Sequence, residues 1–401
     1  MISWQRNLFF IMVAQFFSIM AFSFALPFAP FYLQEMGVRD PHRLKIWIAL
    51  FNSSAAFSLA VFAPLWGTIS DRYGRRLMLL RSYFGGLVIL LLMGLASSPT
   101  MLVGLRFFQG ALTGTVTAAI TMVSVHTPEN RSGYALGMLS ASVSSGNFCG
   151  SFLGGLFADL FGYRQAFFAA SGLLLVAALL VLFGTEEYVS RRRDENDAEP
   201  QKLRLAPGHL GAAGLILVMM FMSGFVLSFD HSWLPLLVQE IHGGLRGVSF
   251  WAGSLGAASG VAGLLAGPII GRLADRLTPP LIARFSALGA GGMALLIAVA
   301  SNFPFLFASR FCMAFCAGGL EPVFQIWLSK VTPQQERGFV FGWASTARAL
   351  GWMLSPLVSG FVAWLAGIRA VFFATAFLLF LLVPLITFVV YRLRRYPEPA
   401  V

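Results

Sequence analysis

Residues 67–76 read GTISDRYGRR, and residues 271–280 read GRLADRLTPP. Gly, Asp and Arg stand at the same spacing in both stretches. Each stretch follows one apolar run and precedes another, so the two mark equivalent points in two copies of one unit. Outward from them the correspondence holds at a shift of 204 or 205 residues. PFYLQE (30–35) meets PLLVQE (235–240), Trp47 meets Trp251, Arg106 meets Arg310, Gly114 meets Gly318, and GYRQAFFA (162–169) meets GIRAVFFA (367–374). Two unrelated Leu/Phe-rich regions would not align their Asp, Arg, Gly and Pro in this order.

The material between these marks is apolar. Hydrophobic residues make up 57% of the 401, 40 residues are Phe, and mean hydropathy is +0.76, which leaves too little polar surface for a soluble fold. Runs of about 20 apolar residues are long enough to cross a bilayer as helices. Lipid satisfies no open backbone group, and runs such as ASGLLLVAALLVLF lack the alternation of a barrel strand. The expectation is an all-α membrane protein with twelve spans near 8–33, 46–69, 77–97, 100–124, 132–158, 164–184, 210–237, 248–271, 281–301, 303–329, 338–363 and 370–391. The polar stretch 186–209 reads as a linker between two six-helix bundles, 1–185 and 210–401.

Charge orients the spans. With the N-terminus inside, 19 of the 28 Lys and Arg fall on the inside, six fall outside, and three lie within spans. That places both termini in the cytoplasm, and the net charge of +11 becomes topology rather than a nucleic-acid surface. Six spans is an even number, so the copies are parallel repeats about an axis along the membrane normal. The binding cavity of such a repeat lies between its halves.

The motifs now carry a resemblance. GTISDRYGRR fits Gly-x-x-x-Asp-Arg-x-Gly-Arg-Arg, RFFQGALTG (106–114) fits Arg-x-x-x-Gly-x-x-x-Gly, and GNFCGSFLGG (146–155) is similar to Gly-x-x-x-Gly-Pro-x-x-Gly-Gly, with Ser151 where Pro is usual. LPFAPFYLQEMG (26–37) closes the first span. Over its whole length the chain resembles the major facilitator superfamily, in particular its twelve-span drug:proton antiporters and their multidrug exporters. The resemblance implies a secondary active transporter working by alternating access in the cell inner membrane. It also implies a gate formed by Gly67, Asp71, Arg72, Gly74, Arg75 and Arg76, with a worn copy at Asp275 and Arg276.

Charges inside spans are costly and mark cavities or partners. Five qualify: Arg106, Asp230, Arg310, Glu321 and Arg348. Desolvation favours the neutral carboxylate, so Glu321 and Asp230 are expected to couple proton movement, with Arg106 belonging to the element the family links to it. Arg348 pairs with Glu321 or offers a cation to an anionic substrate, and Arg310 joins it in the substrate cavity. Phe24, Phe28, Phe57, Phe225 and Phe324 are candidates for a greasy pocket, although periodicity cannot choose among rings in spans apolar on most faces. Gly146, Gly150 and Gly154, with Gly155 beside them, form a row for close helix packing.

The expected partners are protons, a small-molecule substrate and the lipid bilayer, with the chain as a monomer. The three Cys carry no metal or redox spacing, and no nucleophile–base pair or phosphate loop stands outside the spans. No metal, cofactor or enzymatic activity is therefore expected. Proton-coupled efflux of amphipathic molecules is the first functional reading. A dedicated carrier for a siderophore, sugar or other anionic compound is the second, because three buried Arg outnumber two acids.

Overall fold

The computed structural model describes residues 4–128, 131–186, 207–332 and 337–394. Among these every regular element is helical. The first series is α1 (Trp4–Ala25), a 3-10 turn (Leu26–Phe28), α2 (Ala29–Glu35), α3 (Pro41–Tyr73), α4 (Arg75–Gly94), α5 (Pro99–Leu112), α6 (Thr115–His126), α7 (Ser132–Phe161) and α8 (Tyr163–Gly184). The second is α9 (Pro207–Phe229), α10 (Leu234–His242), α11 (Val248–Arg276), α12 (Pro279–Ala298), α13 (Phe303–Ala317), α14 (Leu320–Val331), α15 (Arg337–Ala366) and α16 (Ile368–Arg394).

Helix covers each of the twelve expected segments. Nine runs among the described residues are long and apolar enough to cross a membrane. The other three segments are α5–α6 and α13–α14, each interrupted, and α7, which is diluted by Ser and Gly.

The interruptions are repeat-related. Segments one and seven break at Leu26–Phe28 and after Phe229, and segments four and ten break at Gly114 and Gly318. Gly114 has φ +148°, which a side chain would oppose. The starts of α5 and α13 match as well: Ser98 accepts from Met101 N at 3.2 Å, and Asn302 from Phe305 N at 3.0 Å.

One expectation needs correction. Spans near 46–69 and 77–97 leave residues 70–76 as the connecting loop, but α3 continues through Tyr73 and the turn is Gly74 alone, at φ +95°. Only glycine adopts that angle without strain, so a single residue suffices to reverse the chain.

Packing repeats too. In the first half α1 lies along α7 and α8, α4 along α8, and α3 along α5. In the second, α9 lies along α15 and α16, α12 along α16, and α11 along α13. Two seams join the halves, α7 with α11 and α3 with α15, and the shift exchanges one for the other.

Candidate functional site

A cavity of about 410 Å³ lies between the halves, walled by segments one, two, four, five, seven, eight and ten. Its polar side chains are Ser23, Asn52, Arg106, Asn147, Ser151, His231, Ser232, Ser259 and Arg310. The breaks at Leu26–Phe28 and Asp230 bring Pro27, Pro30, His231 and Pro235 into the wall. Ser23 Oγ donates to Asn147 Oδ1 at 2.5 Å. No carboxylate lines this cavity among the described residues.

The face away from the chain termini is shut above it. Gln34 and Gln239 exchange amide hydrogen bonds at 2.8 and 2.9 Å, and they are repeat mates, 205 residues apart. In one seam Gly155 lies against Ser249, Gly253 against the Ser151 carbonyl, and Gly260 against Phe148. In the other, Gly360 lies against Ala49.

Two ion pairs lie in the second half, and one of them reaches the cavity through Arg310. Asp230, 1% exposed, pairs with Arg310, 8% exposed, which also donates to Ser259 Oγ at 3.1 Å. Glu321 pairs with Arg348, whose guanidinium lies 5.2 Å from the Trp352 ring centre. Glu321 occupies the first turn of α14, directly after the break at Gly318, where the N-terminal dipole favours an acid.

Arg106 has no carboxylate partner among the described residues. Gln109 Oε1 accepts from it, its guanidinium lies 4.9 Å from the Phe51 ring centre, and its buried Nε makes no hydrogen bond. The repeat mates Arg106 and Arg310 therefore face one cavity under different compensation.

The remaining candidates are scattered. The side chains of Asp71, Arg72, Asp275 and Arg276 and the surroundings of Gly67 lie outside the described residues. Arg76 donates to the Leu182 carbonyl near the end of α8, where unsatisfied helix carbonyls attract a cation. Arg75 follows Gly74 at the start of α4. Gly146, Gly150 and Gly154 face the backbone of α1 at Phe16, Met20 and Phe24, so this row packs inside one half, and only Gly155 reaches the other.

Phe28 meets the cavity wall. Phe24 packs 5.4 Å from Phe157, and Phe225 lies between Phe221 and Phe229. Phe57 is exposed beside Phe107. Phe324 is fully buried in the hydrophobic core and does not line this cavity.

Asn52 and His231 stand in no motif, Asn147 fills an unspecified position of GNFCGSFLGG, and all three were missed. A sequence signal existed only for Gln34 and Gln239, which stand at equal places in PFYLQE and PLLVQE.

Comparison with known proteins agrees with this architecture. The family model for the Major Facilitator Superfamily matches residues 11–276 and 249–401. The Multidrug resistance protein MdtG of Proteus mirabilis is 31% identical over 382 residues, covering 94% of each chain. That of Citrobacter koseri is 34% identical over 386 residues, covering 94% of this chain and 92% of its own. The fold is similar to that of a bacterial homologue of the human lysosomal transporter Spinster, with TM-score 0.72, 14% identity and 99% of each chain covered. With the repeated halves, the shared cavity and matches along nearly its entire length, this multi-pass membrane protein belongs to the major facilitator superfamily.

Proposed function

We propose that the protein is a secondary active transporter that exports amphipathic small molecules in exchange for protons, working as a monomer and not as an enzyme. The observation that carries this reading is the cavity between repeat-related halves, shut at one face by a seam of small residues. Such an arrangement supports rocking about a central site. The similarity to multidrug resistance proteins supports drug efflux. Bundles at 1–185 and 210–401 joined by the linker 186–209 are the moving bodies. Both termini are cytoplasmic by charge bias, so the shut face is external. Gly67, Asp71, Arg72, Gly74, Arg75 and Arg76 form the gate at the cytoplasmic face, with Asp275 and Arg276.

Glu321 and Asp230 carry the proton. Each is held by an arginine, and protonation would release that arginine. A second reading, a carrier for an anionic compound, is favoured by Arg106, whose charge faces the cavity without a carboxylate.

Uptake into everted vesicles energised by a pH gradient tests both readings. Glu321→Gln is expected to cut gradient-driven uptake at least about tenfold at unchanged membrane level. Normal uptake would refute the coupling role. Lipophilic cations and organic anions compared on Arg106→Gln separate the readings, because loss of anion uptake alone marks a charge that binds substrate and loss of both marks a role in coupling.

A further inference from the structure

The two seams are related by the repeat, but their helix ends are not treated alike. In the first half α3 carries its own cap. Asp40 stands directly before Pro41, and its carboxylate accepts from His42 N at 3.1 Å and Arg43 N at 3.4 Å. In the second half the equivalent helix, α11, has no such residue. Gly244 and Leu245 stand where the shift would place Asp40. The capping position is Gly247, at φ +75°, and it provides no side-chain bond.

The first amides of α11 are nevertheless satisfied. Ser249 N and Phe250 N, the second and third donors of the helix, both reach the carboxylate of Asp159, at 3.2 and 2.7 Å. Asp159 belongs to α7, in the other half. One turn on, the Tyr163 hydroxyl meets Ser249 Oγ at 3.1 Å. The repeat mate of Asp159 in α15 is Trp364, so the opposite seam has no equivalent contact.

We infer that Asp159 is the cap of α11 supplied across the seam, and so acts as the latch of the external gate. The inference rests on the alternating-access reading above. An aspartate at this place satisfies two of the orphan donors at a helix start, and its charge is favoured by the positive end of the dipole. The bond exists only while the halves meet at this face. Opening hands the α11 amides to water and strips the carboxylate of its donors, whereas α3 keeps Asp40 in either state. The latch is thus one-sided: it weights the equilibrium toward external closure without touching the cavity. The Gln34–Gln239 pair closes the same face with a contact shared equally by both halves.

The latch can be read without transport. In a variant with Cys149, Cys312 and Cys316 replaced by Ser, Ser232→Cys puts a thiol in the cavity wall beneath the seam. A membrane-impermeant maleimide is added from the external face to intact cells, and from the cytoplasmic face to everted vesicles. Asp159→Ala is expected to raise external labelling about tenfold and to lower cytoplasmic labelling. Asp159→Asn retains one acceptor and is expected to give a smaller rise, which serves if the alanine variant fails to reach the membrane. External labelling unchanged in both variants, or labelling raised equally from both faces, would overturn the latch. The assay uses neither substrate nor gradient, so its failure and a failure of proton-coupled export are distinguishable.

Discussion

Adding one methyl group to α7 at two neighbouring glycines is expected to have two different consequences. At Gly150 the new Cβ would fall closer than 3.0 Å to the Met20 carbonyl oxygen and 2.9 Å from both Met20 Cα and Ser23 Cβ. These atoms belong to α1, in the same half. At Gly155 it would fall closer than 3.0 Å to the Ser249 carbonyl oxygen and 3.1 Å from Gly253 Cα, both in α11 of the other half. Backbone atoms cannot rotate aside, so in each case two helices must separate.

Overpacking of this kind costs about 1–3 kcal/mol. In Gly150→Ala the cost falls on every state of the folded half and is read as lost thermal stability. In Gly155→Ala it falls only on the state whose external face is shut. The equilibrium then moves toward external opening by about 5- to 150-fold, since each 1.4 kcal/mol is about tenfold. External maleimide labelling of Ser232→Cys reports the second effect, and the melting temperature of purified protein reports the first. The reasoning is refuted if Gly155→Ala melts lower with unchanged labelling, or if Gly150→Ala moves the labelling as far.

The ion pairs permit two further predictions. Asp230→Asn strands Arg310 beside Ser259, and breaking so buried a pair is expected to cost about 3–5 kcal/mol. The double variant with Arg310→Gln should recover part of the loss, and a thermal double-mutant cycle that proves additive would sink the coupling. Glu240→Gln removes the partner of Arg369, but that pair is about 35–44% exposed and Arg369 keeps the Ala298 carbonyl at 2.8 Å. A change within about 0.5 kcal/mol is expected in the same melt, and a larger loss would contradict it.

How much of the site was legible from sequence differs from residue to residue. Arg106, Arg310, Asp230, Glu321 and Arg348 stood out because a charge in hydrocarbon is conspicuous without coordinates. Their pairing did not. Arg348 had two readings from sequence, and the structure gives it Glu321, which leaves Arg106 as the arginine without a carboxylate. The glycine row was read as one packing feature, yet neighbouring positions serve different partners: Gly154 meets α1 and Gly155 meets α11. A helix turns by about 100° per residue, so adjacent glycines face different neighbours.

The sequence by itself determined the membrane-spanning helices, the two copies and the family, because apolar length and the shift of Asp, Arg and Gly are linear properties of the chain. Only the tertiary structure decided where helices break, which face of each span meets which neighbour, and that α11 takes its cap from the other half. Spans apolar all round carry little periodic signal to tell their faces apart. Contacts such as Asp159 with Phe250, 91 residues apart, arise only when backbones approach through small residues.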